Sequence, residues 1–209
     1  MSYEKEITEK IENNDDLPQK LDISMVKYFW QANPLSSRKG SNLPKFLRKI
    51  EVLKNFSDNE LRILSKFMHL RTFENKEVVF RQHDLGVGFY LIYSGHVDVV
   101  VDSNKEVDSE RSNYLLSLER RDYFGELALL QENSARNATV VARGSSTELV
   151  GIFKPDVELL ISNYPIVAAK LLQSVSLIIA NRLFSVTREV RELKYKLSQV
   201  EVGKNASKR

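Results

Sequence analysis

A regular apolar repeat near the end of the chain restricts its fold more than any other feature. Nine positions there are spaced alternately four and three residues apart, and eight of them are apolar. They are Leu172, Ser176, Ile179, Leu183, Val186, Val190, Leu193, Leu197 and Val200. This heptad spacing predicts one long helix, from about Pro165 to Val202, whose apolar seam packs against another helix.

The two halves of this helix differ in what surrounds the seam. Before Phe184 a second apolar stripe of Leu171, Val175 and Ile178 runs beside it, whereas after Phe184 nearly everything off the seam is polar, apart from Tyr195. We therefore expect the first half to pack on its own domain and on a partner. The second half has only a partner against which to bury its seam.

Charges beside the seam favour a parallel homodimer. With Leu183 at an a position, Glu189 would meet Lys194 of a second copy, and Lys196 would meet Glu201. Both are pairs of opposite charge, of the kind that sets register and orientation in coiled coils. The alternative, a single helix folded against its own domain, stays open.

Composition and charge argue against a secreted protein, a membrane-spanning protein and a DNA-binding protein. The 209 residues include no cysteine and no N-terminal signal sequence, and polar residues interrupt the longest apolar run, so we expect a cytoplasmic protein without a membrane span. Basic residues cluster in 38–54 and in the last 28 residues, against a net charge of only +3. Because the sequence contains no recognisable reading module, DNA binding is not expected.

The chain divides into three parts. Residues 1–42 form a charged, partly helical extension, 43–163 a β-rich domain with flanking helices, and 164–209 the long helix with a short basic tail. Helices are predicted over 43–54 and after the capping box formed by Ser57 and Glu60. Strands are predicted at about 77–81, 89–93, 96–101, 114–118, 138–143 and 147–152, a spacing typical of an all-β sandwich, roll or barrel.

The stretch "FGELALLQENSARNA", residues 124–138, carries the chemistry. Gly125 and Glu126 open a short helix, whose first amides favour an anion such as phosphate. Arg136 suits the same phosphate because a guanidinium donates two parallel hydrogen bonds. Glu126 would repel a phosphate and instead suits a hydroxyl donor. Together they indicate a nucleotide with a free ribose hydroxyl.

These residues resemble the phosphate-binding cassette of the cyclic nucleotide-binding domains. The matching positions are Phe124, Gly125, Glu126, Ala128, Leu129, Arg136, Asn137, Ala138 and Val140. The upstream stretch "KEVVFRQHDLGVGFYLIYSGHVDVV" resembles the first strands of the same family. The resemblance covers roughly Phe46–Val190. It implies an α+β fold, an antiparallel, jelly-roll-like β-roll of about eight strands between N-terminal helices and a long C-terminal helix.

The resemblance also implies roles for individual residues. Glu126 would accept from the ribose 2′-hydroxyl and Arg136 would pair with the cyclic phosphate. The ligand site would comprise Phe124, Gly125, Glu126, Leu127, Ala128, Arg136, Asn137 and Ala138, with phosphate bonds from the amides of Leu127, Ala128 and Asn137. Arg182 and Thr187 are candidates for contacting the base from the long helix. Asn137, where the family usually has a smaller residue, leaves open the choice between cAMP and cGMP.

We therefore expect a regulatory protein that binds a cyclic nucleotide, with cAMP ahead of cGMP, and signals to a partner protein through its C-terminal helix and dimer. The alternative is a structural or adaptor subunit that no longer binds nucleotide. No enzyme activity, cofactor or metal site is expected, and no effector domain such as a helix-turn-helix is recognised. His69, His83 and His96 are interpreted as surface or turn residues. Lys76 and His83 replace family glycines, in turns that require positive φ.

Overall fold

A computed structural model describes residues 43–101, 114–131 and 134–206 of the chain, so the extension of residues 1–42 lies outside it. The helices are α1 (Leu43–Leu47), a 3₁₀ turn (Glu51–Leu53), α2 (Asp58–Ser65), α3 (Leu127–Leu130), α4 (Lys154–Asn163) and α5 (Pro165–Ala206). The strands are β1 (His69–Phe73), β2 (Val78–Phe80), β3 (Gly88–Val100), β4 (Tyr114–Leu118), β5 (Tyr123–Phe124) and β6 (Thr139–Phe153).

All the described strand pairs are antiparallel. The order across the sheet is β1-β6-β3-β4, with β2 also paired to β6 and β5 to β3. With helices before the sheet and a long helix after it, this confirms the predicted α+β β-roll. Long strand β6 is the common partner of β1, β2 and β3, so it holds the roll together.

The described part of the chain contains six strands rather than the predicted eight or so. Strands β3 and β6 each continue through a bend at which the sequence predicts a break. At that bend Gly95 and Gly144 have φ of +79° and +86°. Strand β6 bulges there, and Thr147 Oγ1 closes the bulge by donating to the carbonyls of His96 at 3.0 Å and Arg143 at 2.9 Å. Strands β1 and β5 are additions that the sequence did not predict.

The sheet separates two hydrophobic cores. Along β3, Phe89 and Leu91 face a core that they share with the flanking helices, whereas Tyr90 and Ile92 face the interior of the roll. This alternation follows from the two-residue period of a strand. All four side chains are at most 2% exposed. A strand with apolar side chains on both faces fixes the helical layer and the roll interior relative to each other.

The N-terminal helical layer is more broken than predicted. Ile50 has an extended backbone and is only 1% exposed, so the predicted helix over 43–54 divides into α1 and the 3₁₀ turn. The predicted capping box at the start of α2 is confirmed. The Ser57 hydroxyl accepts from the Glu60 amide at 3.3 Å, and the Ser57 amide donates to the Glu60 carboxylate at 2.6 Å.

Helix α5 confirms the predicted long helix and the difference between its halves. Leu171, Val175 and Ile178 are at most 1% exposed in the helical core. Lys170 and Ser174 tie the same half to the N-terminal layer, through Glu60 at 2.7 Å and the Val52 carbonyl at 2.6 Å. By length and composition α5 passes as a membrane-spanning helix. Because its apolar stripe fills the core here, we interpret it as a core helix.

The prediction that the three histidines are surface or turn residues is wrong for His69. His69 is 9% exposed, and its Nε2 lies 3.0 Å from Asp156 Oδ2, which also accepts from the Phe153 amide at 3.2 Å. No local pattern marks this pair, because its two residues are 87 positions apart. His83 lies in a turn with φ of 70°, and Lys76 has φ of 67°, so both stand where positive φ was predicted.

Candidate functional site

Gly125 stands between β5 and α3 with φ of +80°. A Cβ at this position would lie 2.6 Å from Arg136 Nη1 and 2.9 Å from the Gly88 carbonyl oxygen. The sequence explains this glycine by close approach of the backbone to a ligand. In the structure it is the Arg136 side chain that requires the space, so Gly125 also serves to place the guanidinium.

Arg136 is fixed along its whole length. Its amide donates to the Asp84 carbonyl and its own carbonyl accepts from the His83 amide, both at 2.8 Å. Its Nη2 donates to the Gly88 carbonyl at 2.8 Å and its Nη1 to the Gly125 carbonyl at 3.2 Å. The guanidinium carbon lies 4.0 Å from the centre of the Phe80 ring. The Arg136 cation is only 5% exposed, and carbonyl dipoles and an aromatic face stabilise it in place of water.

Two further glycines, Gly86 and Gly88, shape the same place, and the sequence analysis assigned neither of them a role at the site. A Cβ on Gly86 would meet Ala128 Cβ at 3.1 Å and the Arg136 guanidinium carbon at 3.3 Å. A Cβ on Gly88 would lie 2.5 Å from the Phe153 ring. The signal available was the Gly-x-Gly spacing just before a strand, which is typical of close packing around a backbone.

Glu126 is 4% exposed, and its two carboxylate oxygens differ in their hydrogen bonding. Its Oε1 accepts from Arg182 Nη1 on α5 at 2.5 Å, whereas its Oε2 is buried and has no hydrogen-bond partner among the described residues. Arg182 Nη2 also donates to the Tyr123 carbonyl at 2.9 Å. An unsatisfied buried oxygen typically costs about 1–3 kcal/mol, more if charged, so a hydroxyl donor placed here would be favoured.

A cavity of about 590 Å³ lies over these groups. The roll contributes an apolar wall that includes Val99, Leu116 and Leu118. Helix α5 covers another side with residues Ile178, Asn181, Arg182, Ser185 and Val186. Burial raises the pKa of the Tyr123 phenol at the cavity wall, an effect that the nearby Arg182 opposes. A buried cation, a carboxylate and an apolar wall in one cavity can hold an anion, a hydroxyl and a flat ring together.

The structure brings the predicted cassette residues together at this cavity. Those on its wall are Phe124, Gly125, Glu126, Leu127, Ala128, Arg136, Asn137 and Ala138, and Arg182 joins them. Thr187 is not among the lining residues. It is exposed, and its hydroxyl donates to the Leu183 carbonyl one turn earlier at 2.8 Å. The amide of Ala128, a predicted phosphate donor, donates to the Gly125 carbonyl at 3.2 Å. The individual binding roles stay predictions.

Sequence analysis missed two polar residues of the cavity, Asn181 and Ser185. They lie four positions apart on α5, which places them on one face of the helix. Arg182 was a candidate because it flanks the seam. Asn181 and Ser185 could have been found in the same way, as polar residues on the adjoining turns of α5. Thr187 is two residues beyond Ser185, which turns its side chain away from that face.

Comparisons with known proteins agree with this geometry. Residues 70–164 match the family model described as the cyclic nucleotide-binding domain. A cAMP-dependent protein kinase regulatory subunit from Mucor circinelloides f. lusitanicus is 36% identical over 109 residues, 52% of this chain and 24% of that protein. A cGMP-dependent protein kinase from Caenorhabditis elegans is 28% identical over 130 residues, 62% of this chain and 16% of that protein.

Among solved structures, the catabolite activator protein of Thermus thermophilus is similar in fold. It has a TM-score of 0.57 and 27% identity, and the match covers 68% of this chain and 62% of that protein. The matched region spans about a quarter or less of the two kinase-related relatives, so it corresponds to one part of each of them. The family resemblance drawn from the cassette is thereby confirmed for the β-roll.

Proposed function

We propose that the protein is a cyclic nucleotide sensor, on the premise that residues 70–164 match the cyclic nucleotide-binding domain family. It binds cAMP first, and cGMP as the alternative, in the cavity under α5. Binding shifts α5 and the dimer, and a partner protein reads the change. We place this activity in the cytoplasm, without enzyme activity of its own.

The observation that carries the proposal is the unsatisfied Oε2 of Glu126 on the same cavity wall as the buried Arg136. A cyclic nucleotide offers a hydroxyl and a phosphate on one ribose. The hydroxyl would satisfy Oε2, and the phosphate would accept hydrogen bonds from the Arg136 guanidinium. The hydroxyl would thus relieve the cost of the unsatisfied Oε2 in the folded protein.

The order of the two nucleotides rests on polar residues of the cavity wall. Asn137 and Asn181 are amides, which can both donate to and accept from the edge of an adenine. The relative from Mucor circinelloides f. lusitanicus is named for cAMP, and the one from Caenorhabditis elegans for cGMP. Arg182, the one described α5 cation at the cavity, is already paired with Glu126, so it is less available to a guanine.

The proposed shift of α5 follows from where Arg182 lies. It joins α5 to the cassette through Glu126 Oε1 and the Tyr123 carbonyl. A ligand that binds Glu126 and also contacts Asn181 or Ser185 would bind better when α5 is closed over the cavity. Such differential affinity is what shifts a conformational equilibrium. Val186 lies both on the cavity wall and on the seam, so the same movement would reach the proposed parallel homodimer.

Isothermal titration with cAMP and with cGMP tests the binding. We expect saturable heat with cAMP, and a loss of affinity of at least about a hundredfold in Arg136→Ala because a charged partner of the phosphate is removed. The matched control is Arg143→Ala, whose ion pair with Asp98 stands on the strands away from the cavity wall. The proposal would be refuted if neither nucleotide gave heat up to about 1 mM, a Kd limit that corresponds to a binding free energy of about 4 kcal/mol.

A second titration tests the link to α5. Replacing Arg182 by alanine removes the contact between α5 and Glu126, and we expect cAMP affinity to fall about tenfold, or about 1.4 kcal/mol. Arg188→Ala, six residues along the same helix and outside the cavity wall, is the control. Equal affinities in the two variants would show that α5 does not close through Arg182.

One observation favours a second candidate, an adaptor that ignores nucleotide. Arg136 and Glu126 both have internal partners, two carbonyls for the cation and Arg182 for the carboxylate. These contacts would stabilise the roll in a protein that binds no ligand. If Arg136→Ala lowers the melting temperature but cAMP does not raise that of the parent protein, the adaptor is the better description.

A further inference from the structure

Helix α5 carries a second exposed apolar stripe that the seam does not include. Leu177, Phe184 and Tyr195 are 51%, 71% and 66% exposed, and Arg188 and Arg191 lie between the two aromatic residues. We call these five residues the outer stripe. Large aromatic side chains and arginine are the residue types most enriched where proteins bind one another. None of the five lines the cavity.

The outer stripe points away from both surfaces already described. At about 100° per residue, its five side chains fall within about 60° of one another around the helix. The same rotation places the centre of the seam about 150° away and the cavity-lining residues about 110° away. A second copy packed on the seam would therefore leave the outer stripe exposed.

The outer stripe is also basic. Arg188 and Arg191 give it two positive charges, and no acidic residue lies within it. Glu192 stands at its edge, 3.9 Å from Arg188, at the long end of an ion pair. Both arginines are exposed. A segment that covers this surface would need apolar side chains for Phe184 and Tyr195 and acidic ones for the arginines.

Residues 3–16 of the same chain, "YEKEITEKIENNDD", have that composition. Tyr3, Ile7 and Ile11 recur every four residues, so on a helix they would share one face. The segment has six acidic residues and two lysines. We propose that residues 3–16 dock on the outer stripe as an acidic amphipathic helix, with the isoleucines against Phe184 and the carboxylates near Arg188 and Arg191.

The chain between the two surfaces is long enough. Residues 17–42 separate the segment from α1, and 26 residues can span up to about 90 Å when extended. The layer that begins at Leu43 contacts Ser174 of α5 through Val52, and from Ser174 to Arg188 the helix rises about 21 Å. The segment can therefore reach the outer stripe of its own protomer, and that of a second copy in a dimer. The proposal depends on neither nucleotide binding nor dimerisation.

Cross-linking in the full chain tests the proposal, because the natural sequence contains no cysteine. Thr8→Cys and Glu192→Cys place one thiol at the middle of each surface, to be joined by a short bismaleimide. We expect a yield at least about fivefold higher than with Thr8→Cys and Lys66→Cys, which places the second thiol on an exposed residue at the end of α2. The yield should fall as salt rises, since the attraction is between exposed charges.

Charge reversal separates docking from chance encounter. Adding Arg188→Glu and Arg191→Glu to the first cysteine pair should reduce the yield to that of the Lys66 pair. The control reversal, Arg62→Glu with Lys66→Glu on α2, changes the net charge equally and should leave the yield unchanged. Equal yields for the two cysteine pairs, or a yield unaffected by reversal at the outer stripe, would overturn the proposal.

Two further outcomes would also contradict the proposal. If a cysteine at Lys27 links to Glu192→Cys more efficiently than one at Thr8, the aromatic segment over 24–34 covers the stripe and the proposal is wrong. If Phe184→Ala leaves the Thr8 cross-link unchanged, the contact is electrostatic only and the proposed apolar docking fails. Circular dichroism of each variant shows whether the helix content is retained.

Discussion

The two halves of α5 carry one continuous seam but stand in opposite surroundings. In the first half Leu172 and Ile179 are half-buried beside the helical core, and the neighbouring Leu171 and Ile178 are part of it. In the second half Leu183 and Leu197 are 65% and 66% exposed. The side chain of Val200 lies outside the described residues. The same apolar spacing thus supports the domain in one half and offers a surface in the other.

This difference shows what a heptad pattern does and does not specify. The pattern predicts that a helix forms and which of its side chains share a face. Whether that face is buried depends on residues beside it, here the extra stripe of Leu171, Val175 and Ile178. Where the extra stripe ends, packing of α5 in the helical core ends as well, and Arg182 still joins the helix to Glu126 and the Tyr123 carbonyl.

The largest effect on stability is expected when a leucine is truncated in the first half of α5 and compared with a leucine truncated in the second half. Leu171→Ala leaves a cavity at a fully buried position and should lower the free energy of unfolding by about 2–5 kcal/mol. Leu193→Ala, at a residue that is 55% exposed, should change it by no more than about 0.5 kcal/mol. Urea unfolding at a dilution that keeps the protein monomeric measures both. A comparable loss in both variants would mean that the second half also packs on the domain.

A smaller effect is expected on association. Leu183→Lys with Val190→Lys places two cations on the exposed seam and should weaken the proposed dimer at least about a hundredfold, or about 2.7 kcal/mol. The domain should stay folded, since both residues are exposed. Sedimentation of the variant at about 10 µM, and of Lys194→Ala as a milder control, measures this. A variant that still sediments as a dimer would refute the seam.

The smallest effect concerns the polar contacts of the first half. The Lys170 ammonium, together with the Ser57 amide, lowers the pKa of Glu60 from 4.5 to about 2. The stabilisation from this carboxylate is therefore complete above pH 4.5 and is lost as the pH falls toward 2. Because the pair is partly solvated, we expect at most about 1 kcal/mol.

Acid titration of Lys170→Met tests this expectation. The variant should lose less stability between pH 4.5 and 2 than the parent protein, because its Glu60 gains less from ionisation. Lys196→Met, in the exposed half of α5, should follow the parent curve. If the two variants have the same acid midpoint, the Glu60 contact makes no contribution to stability.

Local patterns predicted the parts of the fold whose signals are adjacent in sequence. The capping box at Ser57 and the start of α5 at Pro165 both depend on residues within a few positions of one another. The cassette placed Glu126 and Arg136 at one site because the family motif holds their spacing. In each case the signal that allowed the prediction lies within a short stretch of sequence.

The features that sequence analysis missed depend on distant residues. Strand β1, "HLRTF", has no clear alternation, and it is a strand because β6 pairs with it about 80 residues later. The carbonyl of Gly88, 48 positions from Arg136, holds its guanidinium. The contact between Glu126 and Arg182 joins residues 56 positions apart. No local pattern marks such pairs before the chain has folded.

The position of β6 also has a consequence for how the chain is made. This strand, Thr139–Phe153, pairs with β1, β2 and β3, all of which leave the ribosome earlier. Until β6 emerges, those three strands have edges without their main partner, and exposed strand edges invite pairing with other chains. The roll can therefore close only late in synthesis, and its many long-range pairings predict slow folding. Slowing translation once β6 has left the ribosome would give this strand time to pair before α5 appears.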